Sequence, residues 1–236
     1  IQEQARIARY KLMLDWCIKN GVQDLVLAHH QEDQAETFLM RLIRGSGKNG
    51  LGCMRRVTKR RGVRLLRPLL TVSKSRLQAT LKLQDLKWLE DPANINPAYT
   101  RTQIRNLSAA LVERELSTQR LAILATQFGQ LREKLEDITR FAIKRVAKID
   151  PMGWAFVDDR MLILLPEEIQ NQVIKFLIKS IGGKHYSPRQ IRLKRILKLI
   201  KTRDQFKAIS LGGCSIRQSR QQLKILREEY SKTEAT

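Results

Sequence analysis

Asp24-Leu25-Val26-Leu27-Ala28-His29-His30-Gln31-Glu32-Asp33-Gln34-Ala35-Glu36-Thr37-Phe38-Leu39 is the stretch that decides the fold. Asp24 to Ala28 is a short apolar run of the kind buried in parallel sheets. From Glu32 to Arg44, the residues Ala35, Phe38, Leu39, Leu42 and Ile43 fall on one helical face. Upstream, Ile7, Tyr10, Leu14 and Cys17 give a helix over Glu3 to Lys19 that Asn20-Gly21 stops. Downstream, Val63 to Leu66 reads as a strand ended by Pro68, and Ser73 caps a helix running towards Gln84. Helix and strand alternate, which is α/β grammar.

Beyond Trp88-Leu89-Glu90-Asp91-Pro92, a Pro- and Asn-rich stretch to Pro97 ends the α/β portion. Helices are expected over Thr102 to Glu115 and Thr118 to Ala147, short strands between Trp154 and Leu165, and further helices after Pro166 and Pro188. Ser210-Leu211-Gly212-Gly213-Cys214 reads as a hairpin turn. The expected division is an α/β domain over 1–110, a mostly α-helical domain over 111–230, and a polar tail over 231–236.

Lys and Arg number 45 against 23 Asp and Glu, a net charge of +22, so the first partner to consider is a polyanion such as nucleic acid. No apolar run approaches the roughly 18 residues that span a bilayer. Cys17, Cys53 and Cys214 are isolated, which suggests neither a disulfide framework nor a zinc site and fits a reducing cytoplasm. The chain starts at Ile1 without Met, so a fragment is one expectation.

Chemistry is expected at His29 to Glu36, because open α/β sheets bind ligands where a strand ends and a helix begins. There, helix amides favour phosphates, and the Asp33 carboxylate suits Mg²⁺. On spacing alone, Glu32 and Asp33 serve equally as stabilisers of the helix start. Gly45, Gly47 and Gly50 spell a literal G-x-G-x-x-G, but it follows a helix and is no dinucleotide fingerprint. Arg55, Arg56, Lys59, Arg60, Arg61 and Arg64 form an acid-free basic run suited to RNA phosphates. Arg189, Arg192, Arg195, Lys198 and Lys201 recur every third position beside the apolar stripe Leu193, Ile196, Leu197 and Ile200, and such a row can track a phosphate backbone.

Several segments together carry a family resemblance: Ala28-His29-His30-x-x-Asp33-Gln34-Ala35-Glu36-Thr37, Arg41-Leu42-x-Arg44-Gly45-x-Gly47, Arg67-Pro68-Leu69, Trp88-x-Glu90-Asp91-Pro92 and Tyr99-x-Arg101. In this order they resemble the tRNA-isoleucine lysidine synthetases, which are N-type ATP-pyrophosphatases of the PP-loop type. Ser187-Pro188 and Leu211 to Cys214 with Arg217 resemble that family's helical substrate-binding domain. The resemblance implies a Rossmann-like (adenine nucleotide alpha hydrolase-like) partial domain followed by a tRNA-contacting domain. It implies ATP and Mg²⁺ as cofactors, and free lysine and a CAU-anticodon tRNA(Ile) as partners. The implied reaction is adenylation of the wobble cytidine, then displacement of AMP by the lysine ε-amine. His29 and Asp33 are the implied catalytic residues, with Asp33 also the Mg²⁺ ligand, and Arg101 and Arg105 the implied phosphate or tRNA contacts. The expected RNA contacts are Arg55, Arg56, Arg60, Arg61, Arg189, Arg192, Arg195 and Lys198. A homodimer is compatible with this reading, and a membrane partner is not expected.

The sequence departs from the family's pattern in two places. The phosphate loop Ser-Gly-Gly-x-Asp-Ser occurs nowhere in the 236 residues, so they are not expected to catalyse unaided. Thr102 stands where the family often has Asn. The related tRNA thiolases rely on Cys pairs, which this sequence lacks, and the alternative function is a non-catalytic RNA-binding protein from a split or decayed gene.

Overall fold

A computed structural model of the chain describes residues 2–89, 103–104, 116–184, 188, 190–202, 206–219 and 222–228. Glu90 to Pro92, Tyr99, Arg101, Arg105, Ser187, Arg189 and the tail 231–236 lie outside the described residues, as does nearly all of the helix expected over 102–115. The chain forms two compact units, Ile1–Arg132 and Glu133–Thr236.

The first unit opens with α1 (Gln2–Lys19), followed by β1 (Asp24–Val26) and α2 (Gln31–Ile43). Next come the short α3 (Lys48–Leu51), β2 (Val57–Arg60), β3 (Val63–Leu66) and α4 (Lys74–Leu83). The helix α5 (Thr118–Val146) begins here and runs into the second unit. β1 and β3 pair in parallel, with Leu25 opposite Leu65, as the α/β reading requires. β2 lies within the basic run, where the sequence pattern signals charge and no strand. It pairs antiparallel to β3 through the tight turn Arg61-Gly62, where both residues have positive φ. Its charged side chains suit an outer strand of a sheet ordered β1-β3-β2.

Two apolar clusters hold this unit. Tyr10, Leu14 and Cys17 of α1 bury against Val63 and Leu65. Ala35, Phe38 and Leu39 of α2 bury with Cys53, Leu121 and Ala125. Arg132 is also buried, and its guanidinium donates to the Asn49 and Cys53 carbonyls at 3.3 Å, pinning the glycine-rich segment after α2. That segment is thus a helix end followed by a short turn of helix, which agrees with rejecting a dinucleotide fingerprint.

In the second unit, β4 (Ala147–Asp150) and β5 (Trp154–Asp158) flank a turn at Pro151 to Gly153. α6 (Asp159–Ile163), α7 (Glu167–Gly182) and α8 (Gln190–Thr202) precede β6 (Ile209–Leu211), β7 (Cys214–Ser219) and β8 (Gln222–Arg227). Helix predominates, but it packs on a five-stranded antiparallel sheet ordered β4-β5-β8-β7-β6. Of the short strands expected between Trp154 and Leu165, only Trp154–Asp158 joins that sheet, because Asp158 caps a helix over Asp159–Ile163, and the expected hairpin joins β6 to β7. Ala155, Val157, Ile216, Leu223 and Ile225 form its buried face, with Val173, Ile174, Leu177 and Ile178 of α7 and the apolar stripe of α8 in the same core.

The Gly-Gly turn is set by a close approach as well as by its dihedrals. Gly212 and Gly213 have φ of +64° and +82°, the pairing a two-residue hairpin demands. A Cβ on Gly182, at the end of α7, would lie 2.2 Å from the Gly212 carbonyl oxygen. Gly182→Ala is therefore expected to destabilise the protein by about 1–3 kcal/mol, the usual size of an overpacking cost. Gly47→Ala, where a Cβ meets nothing within 4 Å, should stay within about 0.5 kcal/mol of the parent. Denaturant unfolding of both variants measures the contrast.

Candidate active site

The chain leaves the sheet at the carboxyl end of β1. The Leu27 N–H still donates to the Leu66 carbonyl at 2.8 Å, extending the parallel ladder, and the Gln31 N–H donates to the Val72 carbonyl at 3.0 Å. Between these ties, Ala28, His29 and His30 turn into α2. The Asp33 carboxylate accepts from the His30 backbone N–H at 3.0 Å, the returning half of a capping box. Glu32 turns elsewhere, and its carboxylate accepts from the Lys74 N–H at 3.0 Å, where α4 begins, and lies 2.8 Å from His30 Nδ1. Glu32 is therefore a structural link between two helix starts.

His29 and Asp33 line one cavity of about 320 Å³, together with Leu27 and Ala28 from the strand end and Arg6, Arg9, Tyr10 and Met13 from α1. The expected pair is thus brought together, and α1 adds two cations that the sequence reading missed. The available signal was Arg6, Arg9 and Met13 recurring at intervals of three and four, beside the apolar stripe that seats α1. Arg60 joins this neighbourhood: its guanidinium lies 5.4 Å and that of Arg6 5.8 Å from the Tyr10 ring centroid. The site accordingly combines a carboxylate and an imidazole with an excess of positive charge, an arrangement that attracts an anionic ligand.

The remaining basic residues divide. Lys59 and Arg60 are exposed on the β2 hairpin, and just before it Arg56 is exposed and Arg55 half-buried. The run has no acid of its own, but the fold supplies two. Arg61 pairs with Asp15, and Arg64 makes a bidentate bridge to Asp24 that lowers the Asp24 pKa and raises that of Arg64 through their shared hydrogen bonds. In the second unit, Arg192, Arg195 and Lys198 are exposed on α8, opposite the buried Leu193, Ile196, Leu197 and Ile200.

Among the described residues, no group of three or more His, Cys, Asp or Glu could hold a metal by itself. Mg²⁺ ordinarily takes one or two protein carboxylates and completes its shell with water and substrate phosphates, and Asp33 fits that limited role. Cys17, Cys53 and Cys214 are buried and free, and burial pushes the Cys53 and Cys214 thiols up to about 11, which keeps them protonated. No helix among the described residues is long and apolar enough to cross a membrane.

The PP-loop domain family matches residues 1–111, the span that contains this cavity. Over all 236 residues the chain is 39% identical to a tRNA(Ile)-lysidine synthase of Wolbachia pipientis wMel, covering 55% of that protein. It is 35% identical over 97% of its length to one from Ruegeria pomeroyi, covering 54% of that protein. Residues 1–111 thus match the PP-loop domain family, and the chain as a whole is similar to the lysidine synthases. It spans about half the length of the curated relatives it matches. Among solved structures, the U34-tRNA thiolase NcsA from Methanococcus maripaludis is similar with a TM-score of 0.44 and 16% identity, over 56% of this chain and 44% of that one, too distant to reason from.

Because Asp33 caps α2, its removal has a structural component. Asp33→Ala is expected to lower stability by about 1 kcal/mol, the usual loss at a helix cap. Asp33→Asn keeps an acceptor for the His30 N–H and should cost less, while removing the charge. Denaturant midpoints of the two variants check the ranking.

Proposed function

We propose that this chain supplies part of the catalytic domain and a tRNA-binding region of an enzyme that joins lysine to the wobble cytidine of a CAU-anticodon tRNA(Ile). The observation that carries the proposal is the placement of His29 and Asp33 with Arg6 and Arg9 around one cavity at the end of β1, inside the PP-loop match. The similarity to lysidine synthases supports the choice of substrate.

In this reading the cytidine C2 carbonyl oxygen attacks the α-phosphate of ATP and pyrophosphate leaves. The lysine ε-amine then attacks C2, and AMP departs as the carbon–nitrogen bond is completed. Asp33 would hold Mg²⁺, which when bound would supply positive charge at the reacting centre, and His29 lines the same cavity. Arg6 and Arg9 offset the phosphate charge. Arg101 and Arg105, carried over from the family motif, are assigned to phosphate or tRNA. Arg55, Arg56, Arg60 and Arg61 in the first unit, and Arg189, Arg192, Arg195 and Lys198 in the second, are assigned to the tRNA backbone.

The test is lysine- and tRNA-dependent release of AMP. The 236 residues contain no Ser-Gly-Gly-x-Asp-Ser to cradle the ATP phosphates, so by themselves they should show no turnover. Joined to that segment from a relative, they should turn over, and Asp33→Asn in the joined protein should lose about 100-fold or more in kcat. Turnover that survives Asp33→Asn and His29→Ala would reduce this cluster to a helix cap. Turnover missing from the joined protein, with tRNA binding retained, would favour a non-catalytic RNA-binding protein.

The basic row is tested by salt. Affinity for tRNA should fall with log salt at roughly 0.7 to 0.9 per phosphate neutralised. Replacing Arg192, Arg195 and Lys198 together by Ala should flatten that slope by about two units or more, and an unchanged slope in the folded variant would leave α8 an ordinary solvated face.

A further inference from the structure

The outer face of the second unit's sheet carries a row that neither the reaction nor the α8 cations use. Residues directly opposite in an antiparallel ladder point to the same face. Lys148 on β4 faces Phe156 on β5, Phe156 faces Lys224 on β8, and Lys224 faces Arg217 on β7. Trp154, two residues before Phe156, is on the same side. The rings of Trp154 and Phe156 meet edge to face at 4.7 Å, and Lys224 Nζ lies 5.2 and 5.3 Å from their centroids. The alternate residues Ala155, Val157, Leu223, Ile225 and Ile216 are fully buried on the opposite face. Lys148 and Arg217 are exposed, and Trp154, Phe156 and Lys224 half-buried.

The acids of this face sit at the strand ends and are engaged there. Asp150 accepts from the Met152 N–H at 2.8 Å in the β4–β5 turn, and Asp158 accepts from the Met161 N–H at 3.0 Å as the cap of α6. The rings of Trp154 and Phe156 are framed by three cations, Lys148, Lys224 and Arg217, while the carboxylates of Asp150, directly opposite Trp154, and of Asp158, two residues past Phe156, are turned to backbone amides.

We propose that this face is a stacking platform for unpaired RNA nucleotides. Rings offer a surface to any base with an open π-face, and flanking cations hold the phosphates on either side of it. A duplex hides its base faces and would gain only the charge. Lys224 rests on the rings by a flexible stem and can swing to a phosphate as a base takes its place. The proposal deepens the tRNA reading and rests on it, since it supplies a second contact for the same partner, of a different chemistry from the α8 row.

The experiment uses the whole 236-residue chain, a short unstructured oligouridine and a CAU-anticodon tRNA. Oligouridine should bind and quench tryptophan emission. Trp154→Phe should keep its affinity within a few-fold yet lose the quench, which separates Trp154 from Trp16 and Trp88. Trp154→Ala and Phe156→Ala should each weaken oligouridine binding by about 5- to 150-fold, the range for losing one base–aromatic stack. Lys224→Ala and Arg217→Ala should each flatten the salt slope by roughly 0.7. If Trp154→Ala does not fold, Trp154→Phe and the two cation variants decide the matter.

Folded aromatic and cation variants that bind oligouridine like the parent would overturn the platform. If tRNA binding in those variants stays intact and sensitive to Arg192, Arg195 and Lys198, the tRNA reading survives without it. A parent chain that binds tRNA but not oligouridine also overturns the platform alone, and one that binds neither overturns both.

Discussion

The start of α2 is the constraint from which the candidate site follows. Two successive backbone amides are held there, His30 by the Asp33 carboxylate and Gln31 by the Val72 carbonyl, and Glu32 of the same turn holds the Lys74 amide at the head of α4. These bonds fix the exit from β1 against the segment that follows β3. A helix start leaves its first amides without intrahelical partners, and a buried unsatisfied amide costs on the order of 1–3 kcal/mol. Satisfying them with Glu32 and Asp33 makes this corner rigid. The backbone that follows His29 is thereby fixed, and His29 lines the cavity just before it.

The two acidic residues at this corner illustrate why spacing could not assign their roles. Adjacent residues on a helix point about 100° apart, so Glu32 and Asp33 address different surroundings. Glu32 turns to α4, while Asp33 reaches back over its own helix start and also faces the cavity. Read from sequence, capping and ligand binding are competing alternatives for the pair. In the structure Glu32 is structural, and Asp33 serves the cap while remaining on the cavity wall.

What was legible in the sequence is what local periodicity encodes. β3 at Val63 to Leu66, α4 behind its Ser73 cap, and the stripe of α8 are all where apolar spacing puts them. β2 was not legible, because Val57-Thr58-Lys59-Arg60 is an outer strand with little apolar burial to impose alternation, and its charge masks the strand. The five-stranded sheet was not legible for a different reason. β5 pairs with β8, more than sixty residues later in the chain, so no local pattern reports the partnership. Arg6 and Arg9 fall in a helix whose apolar stripe is its plain signal, and only the packing of α1 beside the β1 exit gives their charge a destination.

The same distribution of charge operates in both units. With 23 acids against 45 Lys and Arg, the carboxylates are too few to neutralise every basic residue. Several acids go to backbone amides rather than to cations: Glu32 and Asp33 at helix starts, Asp150 in a turn, and Asp158 at a cap. Asp15 and Asp24 do meet arginines, at the hairpin end of the first sheet, where exposed pairs are worth little stability but cancel local field. The cations left over are therefore not spread evenly. Among the described residues, cations lie along β2, along the outside of α8, beside the rings of β5, and in the lining of the His29–Asp33 cavity. A polyanion passing over either unit meets positive charge where the fold has used its acids on itself, which is how a modest set of capping bonds shapes an electrostatic surface.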